Sequence, residues 1–264
     1  MYVYICFIQF NTILFMFNKD IINLINKPCV VFKSESFLEN YFYDQIRENF
    51  PKYDQVLKLY PNKNFRDNIS FSSKSEYYSL LTKNEHLQKL NDIVMSKSFF
   101  KHFYKFFFFE FCKARNLNPI QLIRLIRPAC HNTNNNSFYN KFFNSVSVTI
   151  QYSYMPNNNG LTPHTDSHSK LLSLMLYFPD KDYADQGNYG TQFWNSDIKS
   201  IVTNHQYGDL ERKFKKDSTK NIKTQFEKNT LYGFIRNNRS WHTVEPLNID
   251  DSYIRKSINI NFTF

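Results

Sequence analysis

Strict alternation over residues 146–154 is the feature that most constrains the fold. Val146, Val148, Ile150, Tyr152 and Tyr154 alternate with Ser147, Thr149, Gln151 and Ser153. A period of two places these sets on opposite faces of an extended segment, so this stretch is a sheet strand and not a helix. Residues 171–178, 191–194, 230–235, 241–244 and 254–264 read as further strands, parted by turns rich in Asn, Gly and Asp. Short strands spaced in this way predict a sandwich or jelly roll.

The first half reads differently. Residues 30–32 form a short strand. Ser36 and Glu39 then have the spacing of a capping box, in which each side chain satisfies a free amide at a helix start. Leu38, Phe42, Ile46 and Phe50 follow at intervals of four and Pro51 closes the run, which predicts an amphipathic helix. A second helical region spans 84–114, with Leu87, Leu90, Val94 and Phe103 on its repeating face. Residues 106–109 are four consecutive phenylalanines. One helical stripe cannot bury four neighbours, so enclosure on several sides is expected. The fold class is α+β. A mainly helical support (28–143) packs against a β core (144–264) within one domain (28–264), and the apolar segment 1–27 has no assigned role.

At 264 residues the chain suffices for one good-sized core. Its 28 Phe and 18 Tyr, beside abundant Asn, Lys and Ile, reflect a genome biased to A and T codons more than a function. The net charge of +10 is spread along the chain, and its densest run, Arg212 to Lys216, reads as a solvated loop. No aromatic-basic base-reading motif is present, so nucleic acid is not an expected partner. Cys6, Cys29, Cys112 and Cys130 show no CxxC spacing, which argues against a zinc ribbon or disulfide framework and for reduced thiols in the cytoplasm. Residues 2–17 are nearly all apolar, broken by Gln9, Asn11 and Thr12, with no cationic start. Membrane spans need roughly 20 apolar residues, so a buried segment is expected, and membrane contact only through residues 1–17.

The chemistry lies in three places. His164 and Asp166 are two apart in an extended segment, on one side of the chain. His242 lies 78 residues downstream on a predicted strand. Two imidazoles and one carboxylate form a facial metal triad that leaves coordination positions open, although zinc accepts the same donors. Arg255 opens the last strand and shares a face with Ser257 and Asn259. A buried Arg requires an anion, and its planar fork suits a carboxylate. A diacid that chelates the metal at one end and meets Arg255 at the other describes 2-oxoglutarate.

His164-Thr165-Asp166, the distal His242 and the Arg255-Lys256-Ser257 run resemble the 2-oxoglutarate/Fe(II) oxygenases, in particular their prolyl 4-hydroxylase-like branch. The resemblance covers about residues 144–264. It implies a double-stranded β-helix (jelly-roll, cupin-like) core, Fe(II) on His164, Asp166 and His242, and 2-oxoglutarate and O2 as co-substrates. Residue by residue, it implies that Arg255 pairs with the distal carboxylate, that Tyr177 hydrogen-bonds the same group, and that Ser173, Ser257 and Tyr154 line the co-substrate pocket. Residues 188–194 resemble the family's Gly-Gly-x-x-x-Phe/Trp turn with its first glycine replaced, and Leu161 stands where many prolyl hydroxylases carry a tyrosine. The implied activity is hydroxylation of a C–H bond in a peptide residue or small metabolite, with release of succinate and CO2. Loops 180–190 and 206–228 are expected to rim the mouth. Two alternatives stay open: a non-catalytic metal- or sugar-binding jelly roll, and a zinc hydrolase on a cupin-like barrel with Glu245 as the nearby base. Of the remaining charges, His168 is expected to face solvent, Lys170 to meet an acidic substrate or solvent, and Arg236 and Arg239 to be surface residues.

Overall fold

The computed structural model of the chain describes residues 17–60, 62–63, 69–72, 83–125, 127–128, 145–180, 189–198, 214, 216–249 and 251–263. The apolar segment 1–16, the Asn-rich loop, Cys6, Cys130 and residues 181–188 and 199–213 lie outside them. In chain order the elements begin with β1 (Ile22–Ile25), β2 (Val31–Ser34), α1 (Asn40–Glu48), α2 (Tyr53–Leu57) and β3 (Ile69–Ser72). Next come α3 (Glu85–Val94), α4 (Lys97–Phe106), α5 (Phe108–Arg115), α6 (Pro119–Leu125) and β4 (Arg127–Pro128). The β half holds β5 (Ser145–Pro156), β6 (Leu161–His164), β7 (Lys170–Phe178), β8 (Gln192–Ser196), β9 (Ser218–Lys223), β10 (Leu231–Ile235), β11 (His242–Val244) and β12 (Ile254–Thr263).

Two sheets result. The larger runs β1-β2-β10-β7-β12-β5-β3, with β4 joined to β5, and the smaller runs β6-β11-β8-β9. All pairings are antiparallel except β4 with β5. Covered on both faces, the large sheet reads as apolar on one side and mixed on the other. Ile150, Tyr152, Leu172, Leu174, Leu176, Phe178, Ile258, Ile260 and Phe262 form one core with the helices through Tyr43, Ile46, Phe99, Phe103 and Phe107. The other face looks across at the small sheet, where Met175, Tyr177, Phe193, Tyr232 and Phe234 form a second cluster. The alternation in 146–154 therefore divides a helix side from an inter-sheet side.

Several local expectations change. The capping box does not form, because Ser36 sits at φ 45° and the helix begins at Asn40, capped by Glu39. The cause is Asn229, whose side chain accepts from Leu38 N–H at 2.9 Å and donates to Leu38 C=O at 2.7 Å. With both backbone groups engaged, Leu38 cannot enter a helical turn. The region 84–114 is three helices, with Asn84 and Ser96 capping the first two. Phe107, at the junction of α4 and α5, is 2% exposed and packs 4.5 Å from Phe32, whereas Phe106 and Phe109 are 50% and 73% exposed. Enclosure of all four phenylalanines is thus not observed, because each short helix still has only one stripe to bury. No sequence signal marked β1, yet it pairs with β2, and Phe17 is buried against Phe37 and Phe99. Among the described residues, no helix is long and apolar enough to cross a membrane.

Gly233 on β10 shows how close the packing is: a Cβ there would lie 2.3 Å from the Phe32 ring. Asn229 itself holds a left-handed φ of 51° and is 3% exposed. Replacing it with Ala leaves two backbone groups buried and unpaired, so Asn229→Ala is expected to lose about 2–5 kcal/mol in urea denaturation. Burial pushes the Cys29 thiol up to about 12, so almost no thiolate exists at mildly alkaline pH. Cys29 should therefore resist iodoacetamide in the native protein and react once unfolded, as peptide mapping will show.

Candidate metal centre

β6 and β11 are hydrogen-bonded neighbours, and their register sets His164 directly opposite His242. The two rings lie 4.1 Å apart between centroids. Asp166 follows β6 by two residues, and the ligand atoms of all three side chains fall within 4.8 Å of one another. Each imidazole is oriented by a backbone carbonyl: His164 Nδ1 lies 2.8 Å from Thr162 O, and His242 Nδ1 lies 3.0 Å from Ser240 O. Carbonyls only accept, so Nδ1 carries the proton and the Nε2 lone pair is left for a metal. Burial holds the His242 imidazole below its ordinary pKa, against the pull of Asp166, which favours the neutral ligand form.

Asp166 is 9% exposed. Burial pushes its carboxyl up, but Lys170, His242 and the hydrogen bond from Ser173 together outweigh this and hold it well below the usual carboxylate range. Lys170 Nζ meets one oxygen at 2.8 Å and Ser173 Oγ donates to the other at 2.6 Å. The donor set fits a divalent cation: two neutral nitrogens and one ionised carboxylate on one side of a cavity.

The loop bearing Asp166 is clamped by two guanidinium groups. Arg236, just past β10, donates from Nε to Asp166 O at 3.0 Å and from Nη1 to Asn238 Oδ1, with His168 Nδ1 also 2.9 Å away. Arg115, at the end of α5, donates to His168 O at 2.6 Å and to Lys170 O. Arg236 is 1% exposed, so the expected surface role is corrected: its hold on the metal-site loop is through the backbone oxygen of Asp166, which leaves no mark in a sequence. Arg239 is half-exposed near Asp197, as expected of a surface charge.

A cavity of about 160 Å³ lies between the sheets, lined by the triad and by residues of β5, β7 and β12 that include Ser173, Arg255 and Ser257. Arg255 is 5% exposed, and burial pulls its guanidinium below the ordinary value. The group is stacked between Tyr177 and Phe226, 5.0 and 4.9 Å from their ring centroids, and Nε donates to Tyr189 O at 2.9 Å. Among the described residues, no carboxylate pairs with it. Tyr177 is fully buried, with its hydroxyl 3.0 and 3.2 Å from those of Thr191 and Thr224. Gly190 permits this junction, since a Cβ there would strike Thr224 O at 1.8 Å. Tyr154 borders the cavity, but its hydroxyl donates to Pro51 O at 2.8 Å and its ring packs on Phe50 and Tyr53, on the helix side. Thr191, Thr224 and Phe226 were not foreseen. Thr224 and Phe226 belong to the basic insert, where β9 joins the small sheet and Lys220 and Lys223 pair with Glu245.

No protein-family model matches this sequence, and no curated protein matches it. Among solved structures, the chain is similar to a prolyl hydroxylase from Trichoplax adhaerens in complex with a hypoxia inducible factor oxygen degradation domain peptide fragment. That match has 12% identity and a TM-score of 0.45, and covers 88% of this chain and 83% of that one. A Pseudomonas putida prolyl-4-hydroxylase matches at 9% identity and a TM-score of 0.43, over 88% and 86% of the two chains. HygX from Streptomyces hygroscopicus, solved with nickel and 2-oxoglutarate bound, matches at 6% and 0.44, over 88% and 82%. The structural neighbours of this chain include prolyl hydroxylases and a protein solved with nickel and 2-oxoglutarate bound. At these scores the chemistry must be read from this chain's own side chains.

Removing a clamp leaves the ligands in place but frees the loop that aims them. Arg236→Met is expected to weaken Mn(II) binding about 10–100-fold in calorimetric titration, while circular dichroism retains the native spectrum.

Proposed function

We propose that this chain is an Fe(II)- and 2-oxoglutarate-dependent oxygenase on a double-stranded β-helix core, hydroxylating a C–H bond of a peptide residue or small metabolite. The observation that carries this reading is Arg255, a buried cation without a described carboxylate partner, opening into the cavity that holds the triad. A buried guanidinium in that position calls for an anion, and a metal with open positions calls for a chelating acid.

His164, Asp166 and His242 would hold the iron, and Arg255 would hold the far carboxylate of 2-oxoglutarate. When bound, iron and co-substrate supply the power to activate dioxygen, with succinate and CO2 as co-products. The chain's own work is positioning. Thr162 and Ser240 fix the imidazole tautomers, and Ser173 and Lys170 keep Asp166 ionised. Tyr177 and Phe226 hold the Arg255 guanidinium flat between them. Ser257 and Thr191 add hydroxyl groups to the wall. Phe193 and Phe234, against His242, keep water from that side.

The two alternatives fare worse. A zinc hydrolase needs a base beside the metal, but Glu245 faces the groove outside the small sheet and pairs with Lys220 and Lys223. Hydrogen bonds from those lysines hold its carboxyl below the ordinary range. Among the described residues lining the cavity, Asp166 is the sole carboxylate. A binding module has no use for a buried Arg255.

Binding to the native state alone raises the melting temperature by mass action. With Mn(II) present, 2-oxoglutarate is expected to add a further rise in wild type and little in Arg255→Gln, whose affinity should fall on the order of a hundredfold. The Mn(II)-only shift should be the same in both proteins. Equal responses to 2-oxoglutarate would remove Arg255 from the site.

A further inference from the structure

The cavity has a second end, and its chemistry is distinct. Cross-strand register arranges the inward side chains of three adjacent strands as a grid. Arg255 lies opposite Met155, Ser257 lies between Ser153 and Tyr177, Asn259 between Gln151 and Met175, and Asn261 opposite Ser173. Ser173 holds Asp166, so Asn261 is next to the metal group and Arg255 is farthest along the strand from it. They stand six positions apart on β12. Gln151, Asn259 and Asn261 all line the cavity, on the Asp166 side of Arg255 and Ser257.

Nothing in the sheet requires amides there. On the opposite face the same two strands carry Ile150, Tyr152, Ile258, Ile260 and Phe262. Nor do the amides satisfy one another. Asn259 Nδ2 donates to Ser153 Oγ at 2.9 Å, while Asn261 Nδ2 reaches Gln151 Oε1 only at 3.5 Å, the limit of hydrogen-bond range. Among the described residues, none donates to the amide oxygens of Asn259 and Asn261, and none accepts from the Gln151 amide. Asn261 is nonetheless 3% exposed. None of these amide atoms is sealed within the protein, so they face the cavity, where a ligand can meet them.

We propose that Gln151, Asn259 and Asn261 form the substrate-facing wall and select a polar, uncharged substrate bearing hydroxyl or amide groups beside the carbon attacked. This rests on the oxygenase reading above. Amides donate and accept without charge, which suits a polyol, a sugar or a peptide backbone equally. Lys170, the cation at this end, is engaged by Asp166 and adds no free charge. A cavity of about 160 Å³ admits only a small reacting group, so the rest of the substrate stays at the mouth. An apolar substrate would leave the amides unpaired and be rejected.

The test places Mn(II) and 2-oxoglutarate in the whole chain and measures proton relaxation of xylitol, N-acetylalaninamide and benzene. Enhanced relaxation of xylitol or of N-acetylalaninamide, but not of benzene, is expected, and the responding probe tells a polyol from a peptide-like ligand. Asn261→Leu should weaken the responding probe about tenfold, the loss of one hydrogen bond. Gln151→Leu, at a half-exposed position, is the second variant should the first not fold. Water-proton relaxation in the same samples reports Mn(II) binding and its response to 2-oxoglutarate. If that response is present while neither polar probe exceeds benzene, or both Leu variants bind the probe as wild type does, the substrate assignment is overturned and the oxygenase reading stands. If the water signal does not respond, both fall together.

Discussion

A carboxylate in a nearly dry cavity is unstable unless positive charge and hydrogen bonds hold it there, and Asp166 is that carboxylate. Desolvation alone would protonate it and remove the charge that a cation needs. Lys170 and Ser173, both from β7, take one oxygen each, so a strand of the large sheet also keeps this carboxylate ionised. The loop that carries it is tied down separately by Arg236, just past β10, at Asp166 O and by Arg115, from α5, at His168 O and Lys170 O. Helical layer, large sheet and metal loop are thereby one mechanical unit.

That unit depends on the two faces of β5, β7 and β12 being chemically different. Toward the helices they present Ile, Leu, Phe and Tyr in continuous packing. Toward the small sheet they carry Arg255, Ser257, Ser173 and the amides, which no core would choose. Polar groups at such positions lower stability and are expected where function demands them. The helical layer, with Tyr43 stacked on Phe178 at 4.9 Å, supplies the hydrophobic stabilisation that a sheet with a polar interior lacks.

Much of this was legible in the sequence, for identifiable reasons. His164, Asp166 and His242 stand out because metal ligands come in a small set of residue types, and Arg255 because a charge alternated with Ile258 and Ile260. Residues 146–154 were readable because one face is apolar throughout. The clamps were not, since Arg236 and Arg115 bind backbone oxygens that any sequence possesses. Nor was the true start of α1, which depends on Asn229 at a separation of 191 residues. Phe226 beside Arg255 is one of 28 phenylalanines, and the long excursion through β9 that brings it there has no local signature. The alternation itself assigns Tyr154 to the helix side with Tyr152, where its hydroxyl is found.

Anaerobic addition of Fe(II) and then 2-oxoglutarate to the apo-protein, followed by visible absorption, tests the proposed iron and co-substrate site most directly. A weak charge-transfer band that requires both additions and is lost in His242→Ala is expected. A protein that takes up Fe(II) but shows no band with 2-oxoglutarate, or that retains zinc in the triad throughout, would contradict it.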